Sequence, residues 1–154
     1  MIPRVDEVLG DFIGYPVGGY DDVVVRMMAP LDIPELRKIS PSDVKNPFDF
    51  LVYSTLVAEQ QGRILGYTQY YVTVDGVLHS LAIRIIPESK GQGVGSMLMD
   101  VKEAIAIKAG AKTHLYIIAT EGEEALKKIV TKMGMHKCQK HGAVEFWVRS
   151  METV

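Results

Sequence analysis

Leu78-His79-Ser80-Leu81-Ala82-Ile83-Arg84-Ile85-Ile86-Pro87-Glu88-Ser89-Lys90-Gly91-Gln92-Gly93-Val94-Gly95 is the stretch from which the fold can be read. Ile83, Ile85 and Ile86 give its first half the β-branched content of a buried strand, and Pro87 ends that strand because its ring removes a ladder donor. Beyond the glycines, Val94, Met97, Leu98, Val101 and Ile105 recur at spacings of three and four, on one face of a helix that closes at Gly110. The loop therefore opens onto a helix N-terminus, where backbone N–H groups lack helical partners and the macrodipole is positive. Glycines there let an anion approach the main chain, which outlines a phosphate site, although glycines between strand and helix also serve plain turns.

The ligand classes can be narrowed. In Gly91-Gln92-Gly93-Val94-Gly95-Ser96 a serine stands where G-x-G-x-x-G needs its third glycine, and no G-K-[ST] follows as a nucleotide P-loop requires. A dinucleotide or nucleoside triphosphate fits poorly.

Lys90-Gly91-Gln92-Gly93-Val94-Gly95 resembles the Arg/Gln-x-x-Gly-x-Gly/Ala loop of the GNAT superfamily of acyl-CoA N-acyltransferases, with Lys90 in the place usually held by Arg or Gln. That exchange keeps the charge but replaces a planar fork by a point charge. Ile83-Arg84-Ile85-Ile86-Pro87 is similar to the Leu-x-Val-x-Pro pattern ahead of that loop, in register with it. The resemblance covers about Val23 to Arg149. It implies an α/β (α+β) domain with a mixed, mostly antiparallel twisted sheet flanked by helices and one β-α-β crossover after the central strand. It also implies acetyl-CoA as cosubstrate, with the diphosphate on Gly91 to Ser96, the pantetheine arm beside Ile83 and Ile85, and Arg84 and Lys90 among the cofactor-binding residues. The activity implied is direct acetyl transfer to an amine, in the gap between strands 77–86 and 113–119.

Outward from this stretch, 154 residues suit one domain, residues 1–154, with a single sizeable core. A formal charge of -2 gives no case for nucleic acid, and the start MIPRVDE is neither a signal peptide nor a membrane span. A cytoplasmic location is the default, and the lone Cys138 excludes an internal disulfide. Residues 1–22 read as an irregular arm, Val23–Met28 as a strand, and Asp32 as the cap of a short helix through Ile39, which Ser40-Pro41 ends. The stretch 41–49 reads as loop, or a short turn of helix, bordering the acceptor site that the resemblance implies.

Phe50–Ala58 and Arg63–Val74 are expected as strands about a turn at Glu59–Gly62, and Asp75-Gly76 as a two-residue hairpin turn. The sheet thus becomes parallel at one crossover, to Thr113–Ala119, whereas a doubly wound fold alternates strands and helices throughout. Thr120 with Glu123 forms a capping-box pattern, and Leu126, Ile129, Val130 and Met133 give the next helix its buried face. Acids at 121, 123 and 124 and lysines at 127, 128 and 132 suit the dipole of that helix. Met135–Gln139 and Ala143–Arg149 close the chain as a hairpin about His141-Gly142.

Amine acylation calls for a base, since an alkylamine near pKa 10 is protonated at neutral pH. His79 stands six residues before Ile85, where some members of the family place a catalytic Glu or His, and imidazole is suited to the task. Simple alternation puts it on the face of Leu81, Ile83 and Ile85. The tyrosine that many relatives use to protonate the leaving thiolate corresponds to Val130, and their frequent asparagine to Glu123. Tyr116, Tyr70 and Tyr71 are the alternative acids, although strand tyrosines more often pack. His136, Cys138 and His141 make no closed zinc pattern, so no metal is expected and Cys138 reads as a buried small hydrophobe. The acceptor, a small-molecule or peptide amine, has no readable motif. A homodimer accords with the habits of relatives. A non-catalytic acyl-CoA-binding module and a nucleotide-binding domain are the rival readings.

Overall fold

Val24–Met27 (β1), Ser54–Gln60 (β2), Arg63–Val72 (β3) and Val77–Ile85 (β4) follow one another antiparallel, with a 3-10 turn at Pro30–Asp32 and helix α1 (Ile33–Ile39) between the first two. After β4 the chain passes through a 3-10 turn at Pro87–Ser89 and helix α2 (Val94–Lys108) to β5 (Thr113–Ala119), which is parallel to β4. Helix α3 (Glu124–Lys132), β6 (His136–His141) and β7 (Val144–Ser150) complete a seven-stranded sheet of order β1-β2-β3-β4-β5-β7-β6. This computed structural model describes residues 23–39 and 53–151. The expected arm 1–22, the break at Ser40-Pro41, the stretch 41–49 and the start of the Phe50–Ala58 strand lie outside the described residues. Among the described residues no helix is long and apolar enough to cross a membrane.

Each face of the sheet carries its own core. On one side Val25, Leu56, Leu78, Ile83, Tyr116 and Ile118 pack with Met97, Leu98, Val101 and Ile105 of α2. On the other, Val57, Ile64 and Tyr67 pack under Leu36 of α1. Helix α2 is buried over most of its circumference, so it brings two charged side chains, Lys102 and Glu103, into the interior.

A register shift in the middle of the sheet sets the geometry of the site. Gln69 pairs with Ala82 but Tyr70 pairs with Ser80, leaving Leu81 as the extra, bulged residue of β4. Cross-strand partners share a face, so Leu78, Ser80, Ile83 and Ile85 stand on the α2 side, whereas His79, Ala82 and Arg84 stand on the opposite side. The expected common face of His79 with Leu81, Ile83 and Ile85 is therefore corrected: one inserted residue inverts the alternation between them.

Local expectations are corrected elsewhere. β2 runs on to Gln60, and the turn is Gln61-Gly62, both with positive φ (51° and 84°), as a type I′ hairpin requires. β3 ends at Val72, and its turn spans Thr73–Gly76, with Thr73 N–H donating to the Val77 carbonyl, in place of a two-residue Asp75-Gly76 turn. Asp32 reaches back to Ala29 N–H at 2.7 Å and chelates Arg26, so helical structure begins earlier, at Pro30. The Thr120–Glu123 capping box does not form: Thr120 N–H donates to the Ala143 carbonyl, and Glu123 (φ 58°) is itself the N-cap of α3. Cys138 is exposed on the edge strand β6, where its thiol faces the Phe146 carbonyl at 3.4 Å. The closing turn falls at 142–143.

Lys102 is fully buried, with Nζ 2.9 Å from Thr68 Oγ1 and 5.3 Å from the Tyr116 ring centroid. Burial pushes its ammonium down from 10.5 to about 7. The penalty is complete below pH 7, where folded and unfolded chains both carry the proton. It is relieved as pH climbs toward 10.5, because only the unfolded chain then binds it. Lys102→Met is expected to raise stability at pH 7 by roughly 1–4 kcal/mol and to flatten the alkaline rise. Thermal unfolding between pH 6 and 10 reads both, and a lower melting temperature with an unchanged pH slope would contradict this account.

Candidate active site

β4 and β5 are paired only from Val77↔Thr113 to Ser80↔Tyr116. Beyond that rung the strands part at the bulged Leu81, and residues 81–85 have no partner on β5. The result is a sheet open at one end in the middle of its width, where β4 keeps β3 as its neighbour on one side and is left by β5 on the other.

The closed end is stapled by a buried polar chain. Glu103 Oε2 lies 2.7 Å from His114 Nδ1, and His114 Nε2 lies 2.6 Å from Ser80 Oγ. Arg149 of β7 adds Nη2 at 2.8 Å and Nε at 3.1 Å to the two Glu103 oxygens, and donates Nη1 to the Met133 carbonyl. Burial raises the Glu103 pKa, but hydrogen bonds from His114 and Arg149 outweigh it and hold the carboxyl below its ordinary range. Burial lowers the His114 pKa against the pull of Glu103, so the neutral ring donates from Nδ1 to Glu103 and accepts the Ser80 hydroxyl at Nε2. Serine, histidine and glutamate in this order resemble an activated nucleophile. Here, however, Ser80 does not line the cleft and Arg149 occupies the carboxylate, so the chain is a staple joining β4, β5, α2 and β7.

At the open end lies a cleft of about 640 Å³. Ile83, Arg84 and Ile85 of β4 form one wall, and Lys90, Gly91, Gly93, Val94, Gly95 and Ser96 form the floor at the start of α2. Gln92 is the one loop residue of the expected set that does not line it. Gly91 and Gly93 have φ of 78° and 87°, which keep side chains away from the loop's surface. The first intrahelical bond is Met97 N–H to the Gly93 carbonyl, and no side chain caps the helix, so the N–H groups of Val94, Gly95 and Ser96 lie outside the helical ladder. Gly95 has a packing role: a Cβ there would stand 3.0 Å from Ile129 Cδ1 and 3.6 Å from Ile83 Cδ1.

Sequence reasoning missed the remaining walls. Ile39 of α1 reaches the cleft, and α3 supplies Ala125, Leu126, Lys128, Ile129 and Lys132, with Glu123 at its cap. The spacing of Lys128 and Lys132 was the available signal, and the helix dipole accounted for it differently.

His79 and Tyr116 lie beside the parting but on opposite faces, and neither lines the cleft. The His79 ring stacks on Tyr71 at 4.6 Å with 9° between planes, and Tyr53 continues the stack at 6.0 Å. Thr55 Oγ1 and Gln69 Nε2 are buried on this same face without a hydrogen-bond partner among the described residues. Tyr116 is sealed on the α2 side, its hydroxyl also without a partner among the described residues, and burial makes its phenol a weaker acid than free tyrosine. Tyr70 is pushed up to about 12 by burial, against a hydrogen bond with Ser54.

A model of the acetyltransferase (GNAT) family matches residues 26–135, and the chain belongs to that family. No match was found among curated proteins. Among solved structures the chain is similar to the PaiA N-acetyltransferase of Thermoplasma acidophilum in complex with coenzyme A (TM-score 0.76, 12% identity, 83% of this chain and 98% of that one). It is also similar to Ard1 of Thermoplasma volcanium (TM-score 0.73, 16% identity, 85% and 99%). A third similar structure is the ribosomal-protein-S18-alanine N-acetyltransferase of Escherichia coli (TM-score 0.72, 13% identity, 86% and 96%). At these identities the likeness is one of fold.

Glu103→Ala strands Arg149 and His114 inside the protein and is expected to destabilise it by about 3–5 kcal/mol. Urea unfolding at pH 7 checks this, and a loss under about 1 kcal/mol would show that the staple does not hold the sheet.

Proposed function

We propose that this protein transfers the acetyl group of acetyl-CoA directly to an amine. The parting of β4 from β5 above an uncapped, glycine-walled helix start carries the reading. The residues present fit the cosubstrate: the N–H groups at the start of α2, outside the helical ladder, and Lys90 suit a diphosphate, Ile83 and Ile85 suit an aliphatic arm, and the side of β4 that β5 leaves uncovered beyond Ser80 suits an amide chain laid along it like a strand. Acetyl-CoA supplies an activated thioester. The family membership and the coenzyme A held by the PaiA-type structure support the same choice.

His79 takes the proton from the incoming ammonium, directly or through water, on the face away from α2. Freeing that lone pair at pH 7 costs about 4 kcal/mol, which sets the need for a base. Tyr71 fixes the imidazole plane by stacking. The acceptor, a small-molecule or peptide amine, approaches on this side, where Thr55 and Gln69 offer unpartnered polar atoms to its own hydrogen-bonding groups. Val130 is buried in the core, so α3 provides no phenolic acid, and Tyr116 is sealed from the cleft. We therefore assign protonation of the leaving thiolate to solvent, which a thiol near pKa 8.5 permits at small cost. The same Val130 is the observation that favours a non-catalytic acyl-CoA-binding module.

Saturating acetyl-CoA at about a hundredfold over Kd should add roughly 2.7 kcal/mol, a rise of about 5–10 °C in melting temperature. NAD and ATP should give none, and Gly93→Glu, which puts bulk and negative charge on the cleft floor, should abolish the shift. An unshifted wild-type protein, shown to be folded, would refute the cofactor assignment.

His79→Ala should lower turnover over an amine panel by about 10²–10⁴-fold while leaving acetyl-CoA affinity unchanged. Unaltered turnover removes His79 from the mechanism, and binding without turnover in the wild type selects the non-catalytic module.

A further inference from the structure

Helix α3 carries three lysines with different surroundings. Lys127 is satisfied: its Nζ lies 2.6 Å from the Thr120 carbonyl and 3.8 Å from Glu145. Lys128 and Lys132 are exposed, have no ion pair or hydrogen bond with any described residue, and both line the cleft. Their i,i+4 spacing stacks them on one helix face beside Ala125 and Ile129, which also line it. The helix dipole accounts for Lys132 in the last turn of α3 but not for Lys128 in its middle.

Ile129 touches the start of α2 through the missing Cβ of Gly95, so the two lysines stand next to the glycine loop. Arg84 and Lys90 bring the cations on the cleft walls to four, against the single carboxylate of Glu123, in a chain whose formal charge is -2. The concentration of positive charge is local to the cleft. A diphosphate on the loop is already served by main-chain N–H groups and Lys90, which leaves the α3 pair over.

We propose that Lys128 and Lys132 bind the 3′-phosphate of the coenzyme's adenosine and make the protein selective for the 3′-phosphorylated cosubstrate over its dephospho form. This rests on the acetyl-CoA reading above. Coenzyme A differs from its dephospho form by that one phosphomonoester, a doubly charged group separate from the diphosphate, and two ammonium groups one helical turn apart match its charge. Glu123 opposes it from the same wall, so both lysines are needed for a net attraction.

Isothermal titration of acetyl-CoA and of acetyl-3′-dephospho-CoA into the wild type and the Lys128→Ala/Lys132→Ala variant tests this. The wild type should prefer the phosphorylated form by at least about tenfold, as expected for charge-assisted contacts. In the variant the preference should shrink to about twofold or less, with affinity for the dephospho form unchanged and melting temperature retained. Equal affinities in the wild type would overturn the proposal, as would a variant that loses both ligands in the same proportion. Failure of both ligands to bind the folded wild type overturns it too, and in that case removes the acetyl-CoA reading on which it stands.

Discussion

The structure depends on one parallel strand pair that must be closed at one end and open at the other. A sheet left to itself would pair β4 with β5 along their common length, since unpaired backbone polar groups are costly. Two features prevent that. The extra residue at Leu81 shifts the register of β4 and increases its local twist where the pairing stops. Below it, Glu103, His114, Ser80 and Arg149 tie α2, β5, β4 and β7 into one buried node. Hydrophobic packing alone would allow the strands to slide. Directional bonds that the Glu103 carboxylate accepts from His114 and Arg149, both distant in sequence, fix where the pairing ends.

The opening then gives the two faces of the sheet different work. Ile83 and Ile85 turn toward α2 and the cleft, while His79, next to Ser80 in the chain, turns away because the bulge lies between them. A cosubstrate lying in the opening and an acceptor arriving on the far face would meet at the parting without sharing a binding surface. On the proposed reading the requirements on the two ligands are separated: changes on the Tyr53–Tyr71–His79 face would alter the acceptor while the glycine loop remains as it is.

Much of this was legible in the sequence because it is local. Ile83 to Pro87, the glycines at 91, 93 and 95 and the three-and-four spacing from Val94 specify strand, loop and helix from residues within one turn of one another. Thr113–Ala119 follows the same logic. What could not be read arises between distant segments. Glu103 is 46 residues from Arg149 and 11 from His114, and no local pattern distinguishes it from a solvated helix acid. The Leu81 bulge is invisible because Leu and Ala at 81 and 82 suit either face. The Thr120–Glu123 pattern was present, but Thr120 was claimed by the Ala143 carbonyl. The α3 wall escaped because a lysine that balances a dipole and one that faces a cleft look alike until the neighbouring helix is placed.

The positions of the polar groups also limit where protons can travel. Beneath the parting, the α2 side holds Tyr116, whose phenol burial makes a weaker acid, and Lys102, whose ammonium burial makes a stronger one. Both are buried, whereas His79 is half-buried on the opposite face. The buried lysine and tyrosine serve the packing of β3, β4 and β5 against α2.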